Sequence, residues 1–394
     1  MKPASLFSAR TDWDLAPNAI ASRLASLRQE GAEIFDLTES NPTCCGFAYP
    51  DQKILAALPQ RENLSYQPAW AGLLQAREAV AASYYQAGLT VDPQRIILTA
   101  STSEAYTVLF RMLADPQDEI LFPKPSYPLF EFLVQLCDAR MKTYPLACGQ
   151  RWHIDFPKLS SRITARTKAL VCVNPNNPTG NVLSREELDE INVLCRKQNL
   201  PVICDEVFFD YVPASAGGVS CATNDKVLTF TLGGLSKSLG LPQMKIAWII
   251  VSGPEDQVAE SIQRLSVIMD TYLSVNAPCQ NALGAWLPLK NEIQEQIRTR
   301  VGNNRKHLQE LFSATKAQVL PAEAGWYAVL KLPPDLDEET WCLTLLTEDH
   351  VYVHPGYFFD FDDEPYIVVS LLPPEGVFQE AVQRVARRIQ AVKR

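Results

Sequence analysis

The sequence predicts an α/β fold: a large domain with a central, mostly parallel sheet sandwiched by helices, plus a smaller α+β domain. Three observations predict it. Strand-like runs and helix-periodic stretches alternate through the middle of the chain. The apolar runs there are nearly continuous, as strands covered on both faces require. The texture changes after about residue 285, where the β-α-β alternation stops. The 394 residues, 47% of them hydrophobic, suffice to bury full cores, and length alone suggests two or three domains.

Taken in order, a helix-like stretch from Asn18 to Gln29 precedes the extended segment Ile34 to Leu37, and Gln75 to Gln86 reads as a second helix. The run RIILTA, Arg95 to Ala100, is a short apolar strand followed by a helical pattern from Glu104 to Leu113. Strands are expected at Glu119 to Phe122 and Lys168 to Val173. Ser184 with Glu187 three places on forms a capping box, so a helix opens there and runs to Gln198. Further strands follow at Pro201 to Cys204, Val227 to Leu232 and Ile246 to Val251. Beyond them come a helix from Val301 to Phe312, a strand from Trp326 to Leu330 and a closing amphipathic helix from Phe378 to Val392. This places the large domain at residues 45–285. Residues 1–44 and 286–394 make a discontinuous small domain.

A formal net charge of −9 disfavours nucleic acid and anionic membrane as partners, because long-range repulsion opposes both. The opening MKPASLFSARTDWDLAPNAI has no continuous apolar core, and no stretch approaches the roughly 20 apolar residues of a membrane span. The protein is expected to stay in the cytosol. Its ten cysteines follow no C-x-x-C or disulfide spacing and read as reduced, mostly buried thiols. The four histidines show no metal-ligand spacing, and no metal is expected.

Three blocks carry chemistry. NPNNPTG, Asn174 to Gly180, follows an apolar strand and precedes the capped helix, where open α/β sheets place ligand loops. DEVFFDY begins with Asp205 at a strand's carboxyl end, where a buried carboxylate needs a cationic partner. TLGGLSKSLGLPQMKIAW sets Lys237 in a Gly/Ser-rich loop between two apolar strands. Partial desolvation there lowers an amine's pKa and favours the neutral form that condenses with an aldehyde.

In this order and at these separations the blocks resemble the class I aminotransferases of pyridoxal-phosphate (PLP) fold type I, across essentially the whole chain. The resemblance implies PLP as cofactor, with Lys237 as the Schiff-base lysine and proton shuttle. Asp205 then pairs with the pyridine nitrogen, holding on the proton that makes the ring an electron sink. Asn177 matches the residue that bonds the phenolic oxygen O3′, and Tyr127 the ring that stacks on the pyridine. Ser101, Thr102 and Ser103 open a helix after RIILTA and match the phosphate cradle. Ser236 is the nearby hydroxyl, Gly234 standing where many relatives have serine. Lys245 replaces the usual phosphate-binding arginine, keeping the charge without the bidentate fork. Tyr66 matches a tyrosine that reaches the neighbouring subunit's phosphate, which implies a homodimer with shared active sites. Ser40, Asn41, Trp326 and Tyr357 match residues that face the substrate.

Two departures bear on the substrate. Phe208 stands where relatives carry a tyrosine donor to O3′. Val368, in YIVVSLLPP, stands where they carry the arginine that clamps the substrate carboxylate, a charge-assisted pair worth a few kcal/mol. No arginine lies in Asp270 to Ser274 to serve a dicarboxylate. The implied reaction is ping-pong transfer of an amino group between an apolar or aromatic L-amino acid and a 2-keto acid. The alternative within the fold is a lyase or decarboxylase, for which Val368 is the best argument. A PLP-sensing transcription regulator is disfavoured, since the segment before residue 45 has no basic recognition helix. Ser313-Ala-Thr-Lys316 matches S-x-x-K by chance, lacking its companion motifs.

Overall fold

The computed structural model describes residues 6–362 and 365–391. Residues 1–5 and 392–394 of the expected small domain, with the Val392 end of the closing helix, lie outside the described residues. An eight-stranded sheet dominates, in the spatial order Ile96–Thr99, Ala247–Ser252, Thr229–Gly234, Val202–Asp205, Thr167–Val173, Glu119–Lys124, Arg140–Cys148 and Trp152–Ile154. The run from Thr229–Gly234 to Arg140–Cys148 pairs in parallel. Ala247–Ser252 and the two outermost strands pair antiparallel.

The continuous apolar runs have the expected cause. In Thr167–Val173, Ala169, Val171 and Val173 enter one core with Ile203, Phe230 and the helix residues Leu109 and Leu265. Leu170 and Cys172 enter the other with Val202, Leu188 and Ile191. A strand buried on both faces has no polar side to show. The helix Arg185–Gln198 starts with both halves of the Ser184/Glu187 capping box and stops at Asn199 in the left-handed region.

Strand and helix ends differ from the sequence reading by physical cause. The strand expected at Val227 to Leu232 is Thr229–Gly234, because Gly233 and Gly234 stay in register with Trp248 and Ala247. A Cβ on Gly233 would come within 2.4 Å of the Trp248 indole, so glycine lets the strands close. The helix expected at Val301 to Phe312 is Lys290–Phe312. Its first half is mostly polar, and Ile293, Gln294 and Ile297 alone turn inward there. The hairpin Arg140–Cys148 with Trp152–Ile154, and the helices Glu255–Tyr272, Ala277–Trp286 and Glu338–Glu348, were not legible as separate elements.

A third core gathers the first and last described α-helices. Ala19–Gln29, capped by the Asn18 side chain, buries Ile20, Leu24 and Leu27 with Trp341, Leu345, Phe378 and Val382. Each such leucine contributes roughly 1.5–3 kcal/mol. Phe35–Asp36 pairs in parallel with Val351–Tyr352. Beside it lies an antiparallel sheet ordered Gln318–Val319, Tyr327–Lys331, Tyr366–Ser370, His354–Pro355. Among the described residues no helix is long and apolar enough to cross a membrane. All ten cysteines are free, seven of them buried.

Candidate active site

The parallel strands aim the three chemical blocks at one edge. Val173 is in register with Asp205, so the Asn174 to Gly180 loop leaves the sheet beside it. Thr99, Ala247 and Gly234 share a row, which brings Ser101 to Ser103, the Lys237 turn and Lys245 to the same carboxyl edge. Ligand sites of open α/β sheets form at such edges.

Lys237 lies in the short helix Leu235–Ser238. Its turn is braced from three sides: Tyr211 donates to the Lys237 carbonyl at 2.8 Å, Gln294 to the Ser238 carbonyl at 2.8 Å, and the Ser238 hydroxyl to the Gly234 carbonyl at 3.0 Å. The ammonium nitrogen stands 5.0 Å from the Trp326 ring centre and 5.4 Å from that of Phe208. This apolar enclosure pulls its pKa down to about 8, and the Asp205 charge works against the shift.

Asp205 is the last residue of its strand and is buried. Burial pushes its pKa up to about 6, opposed by the Val207 N–H at 3.1 Å, the Tyr106 hydroxyl at 2.9 Å and the Lys237 charge. Tyr106 escaped the sequence reading because it sits on the apolar stripe of Thr102–Leu113, between Ala105 and Leu109. The available signal was that a buried tyrosine hydroxyl in a core stripe requires a partner.

Asn177 is buried and its Oδ1 has no hydrogen-bond partner. The loop around it is fixed by its neighbours. Asn176 donates to the Pro125 carbonyl and to Thr179 Oγ1, and the Asn174 amide N–H bonds to the Asp205 carbonyl. Gly180, at φ +69°, accepts at its carbonyl from the N–H groups of Glu323 and Ala324. Arg305 holds the carbonyls of Ala322, Ala324 and Gly325 from behind, which fixes the approach to Trp326.

The remaining expected residues divide. Ser101 caps Thr102–Leu113 by accepting from the Glu104 N–H, and Thr102 and Ser103 form the first turn, whose N–H groups have no intrahelical acceptor. The Glu104 carboxylate shares that turn, accepting from the Ala100 N–H. Tyr127 is 38% exposed at the rim, edge-on to Phe130. The Ser40 side chain bonds the buried Tyr327 hydroxyl. Ser236 lies next to Lys237 in the turn, and Lys245 is exposed with φ 52° just ahead of the strand Ala247–Ser252. Asn41 is engaged in capping the turn Pro42–Cys44, and Trp326 is fully buried over Lys237. Tyr66, 81% exposed, and Tyr357, 41% exposed, stand at the surface.

A desolvated lysine amine facing a buried carboxylate, at the carboxyl edge of a parallel sheet, defines a site for amine and carbonyl chemistry. Comparison with known proteins specifies the class. Residues 33–385 match the family model "Aminotransferase class I and II". The chain is 29% identical over 377 residues to an alanine aminotransferase of Mycobacterium tuberculosis, covering 92% of this chain and 86% of the relative. It is 26% identical over 371 residues to the glutamate-pyruvate aminotransferase AlaA of Escherichia coli K12, covering 92% and 91%. An aminotransferase structure from Escherichia coli superposes at TM-score 0.87 with 26% identity, over 99% of this chain and 100% of that one. An alanine aminotransferase from Pyrococcus furiosus, at 24% identity and TM-score 0.89 over 98% and 100%, shares the fold. The chain belongs to the class I and II aminotransferase family, and it is a transaminase.

Proposed function

We propose that this enzyme transfers an amino group between a small or apolar L-amino acid and a 2-keto acid, using pyridoxal 5′-phosphate held covalently on Lys237. The observation that carries the reading is the pairing of a Lys237 amine at a pKa of about 8 with a buried Asp205 carboxylate at one sheet edge. The orphaned Asn177 amide supports the cofactor. The phenolic oxygen of the cofactor is an acceptor that the Asn177 amide could serve by donating from Nδ2. Relatives named for alanine and for pyruvate support a small apolar amino acid on one side of the exchange, and the glutamate in the second name supports a dicarboxylate on the other.

PLP, when bound, supplies an aldehyde for a primary amine and a protonated ring that takes up the electron pair released at the α-carbon. Asp205 keeps the ring nitrogen protonated, and Tyr106 and the Val207 N–H keep Asp205 ionised and aimed. Ser101, Thr102, Ser103, Ser236 and Lys245 receive the phosphate, and Tyr127 covers the ring. Lys237 would be the base that takes the proton from the substrate's α-carbon and hands it on across the intervening nitrogen. Trp326 and Phe208 exclude water from that transfer.

The same reading makes the enzyme a cytoplasmic homodimer with shared active sites, Tyr66 reaching the partner's phosphate. The exposed Leu64, Tyr66, Tyr272 and Leu273 support a covered face there, and ten unbridged cysteines suit a reducing compartment. The division into residues 45–285 and a discontinuous 1–44 with 286–394 is supported by the core that joins Ile20 and Leu24 to Phe378. The test is an absorbance spectrum of the purified protein before and after single L-amino acids, without keto acid. Loss of the lysine-bound cofactor band with release of one equivalent of matching keto acid is expected. Release of carbon dioxide or ammonia with the band restored would make it a decarboxylase or lyase instead.

A further inference from the structure

Val368 is completely buried in the strand Tyr366–Ser370, in register with Val329 on one side and His354 on the other. Cross-strand partners of an antiparallel sheet project from the same face, so these three side chains form one row. Val329 and Val368 pack with Phe208, Trp326, Tyr327 and Phe359, which include the rings nearest Lys237. Their sequence neighbours Ala328, Leu330, Ile367 and Val369 enter the other core. The row therefore faces the lysine pocket, and His354 is its one polar member.

The His354 ring lies 5.8 Å from that of Phe359 and 6.0 Å from that of Phe358, and its Nδ1 is fully buried without a hydrogen-bond partner. A buried ring nitrogen left unpaired calls for an explanation, and a ligand atom met on a turn of the ring toward the pocket is one. Asp36 is the charged neighbour that favours the cationic imidazole, against the pull of burial. Among the described residues the other basic side chain of this face is Lys331, two positions past Val329 and at the far end of its strand from Tyr327.

We propose that His354 receives the α-carboxylate of the amino-acid substrate in this chain, through an imidazole N–H donated from the row that Val368 leaves apolar. The proposal rests on the aminotransferase reading above. One imidazole offers a single charge-assisted bond where a guanidinium offers a fork, so the receptor discriminates carboxylates with less affinity.

The experiment compares kcat/KM for an amino acid with that for the amine lacking only its carboxylate: L-alanine against ethylamine, and L-phenylalanine against 2-phenylethylamine. The wild-type enzyme should favour the amino acid. His354→Phe keeps a ring against Phe358 and Phe359 but removes the donor, and should cut that preference about 10- to 100-fold, mainly through KM. His354→Gln retains an N–H donor and should recover part of it, which keeps the test open should the phenylalanine variant fold poorly. A wild-type enzyme indifferent to the carboxylate, or a His354→Phe variant that loses amine and amino acid equally, would overturn the proposal. Failure to transfer from any amino acid would remove the aminotransferase reading itself, and the proposal with it.

Discussion

Replacing Asp205 by asparagine tests the electrostatics of the site without any assay of turnover. In the cofactor-free protein the carboxyl is held at about 6 against an ordinary 3.8, burial outweighing its two donors and the Lys237 charge. A folded-state pKa above the unfolded one means that folding favours the protonated acid. That contribution is fully present below pH 3.8 and is lost as pH rises through 6. Integrated over the two states, the ionised carboxylate costs the fold about 1 kcal/mol near pH 4.5 and about 3 kcal/mol near pH 7.5. Asparagine removes this dependence; its Oδ1 can accept from the Val207 N–H and its Nδ2 donate to the Tyr106 oxygen, and the loss of two charge-assisted bonds costs about 1 kcal/mol that does not vary with pH. The double difference isolates the charge. Denaturant unfolding of cofactor-free wild-type and Asp205→Asn protein should show the variant gaining about 2 kcal/mol relative to wild type between the two pH values. A double difference under about 0.5 kcal/mol would refute the claim that burial dominates at Asp205.

The same substitution removes the charge that holds the Lys237 pKa up, so it should fall further below about 8; the pH dependence of Lys237 labelling by an aldehyde reads this directly, and a rise would contradict the geometry. Lys237→Ala should abolish amino transfer while leaving cofactor binding partly intact, measured by turnover and by cofactor fluorescence, and retained turnover would sink the assignment. Gly180→Ala would place a Cβ 2.4 Å from the Ala324 carbonyl at a positive φ. It should cost more than about 2 kcal/mol of stability, measured by denaturant unfolding, and a variant as stable as wild type would show that this junction is slack.

What was legible in the sequence followed from local rules. The capping box at Ser184 and Glu187 and the doubly buried strand Thr167–Val173 need only their own residues to be read. Lys237, Asp205 and Asn177 were singled out by a family resemblance carried by three motifs at strand ends, and the sheet places those ends along one edge. Tyr106 and Tyr211 were not found because their hydroxyls act on residues 99 and 26 positions away, and nothing local separates them from core rings. The first half of Lys290–Phe312 was missed for the opposite reason: its inward face is so narrow that the pattern reads as solvated. The Asn41 side chain shows a third limit, since a turn cap and a substrate contact use the same amide and sequence does not say which claims it.

The parallel pairing of Phe35–Asp36 with Val351–Tyr352 sets an order for biosynthesis. The partner strand leaves the ribosome more than 300 residues after the first, which at typical translation rates is roughly 15 to 60 s. Through that interval the sheet from Ile96 to Ser252 can close on itself, while Ile20, Leu24 and Leu27 have no core to enter. The nascent amino-terminal helix thus carries an uncovered apolar face through most of synthesis.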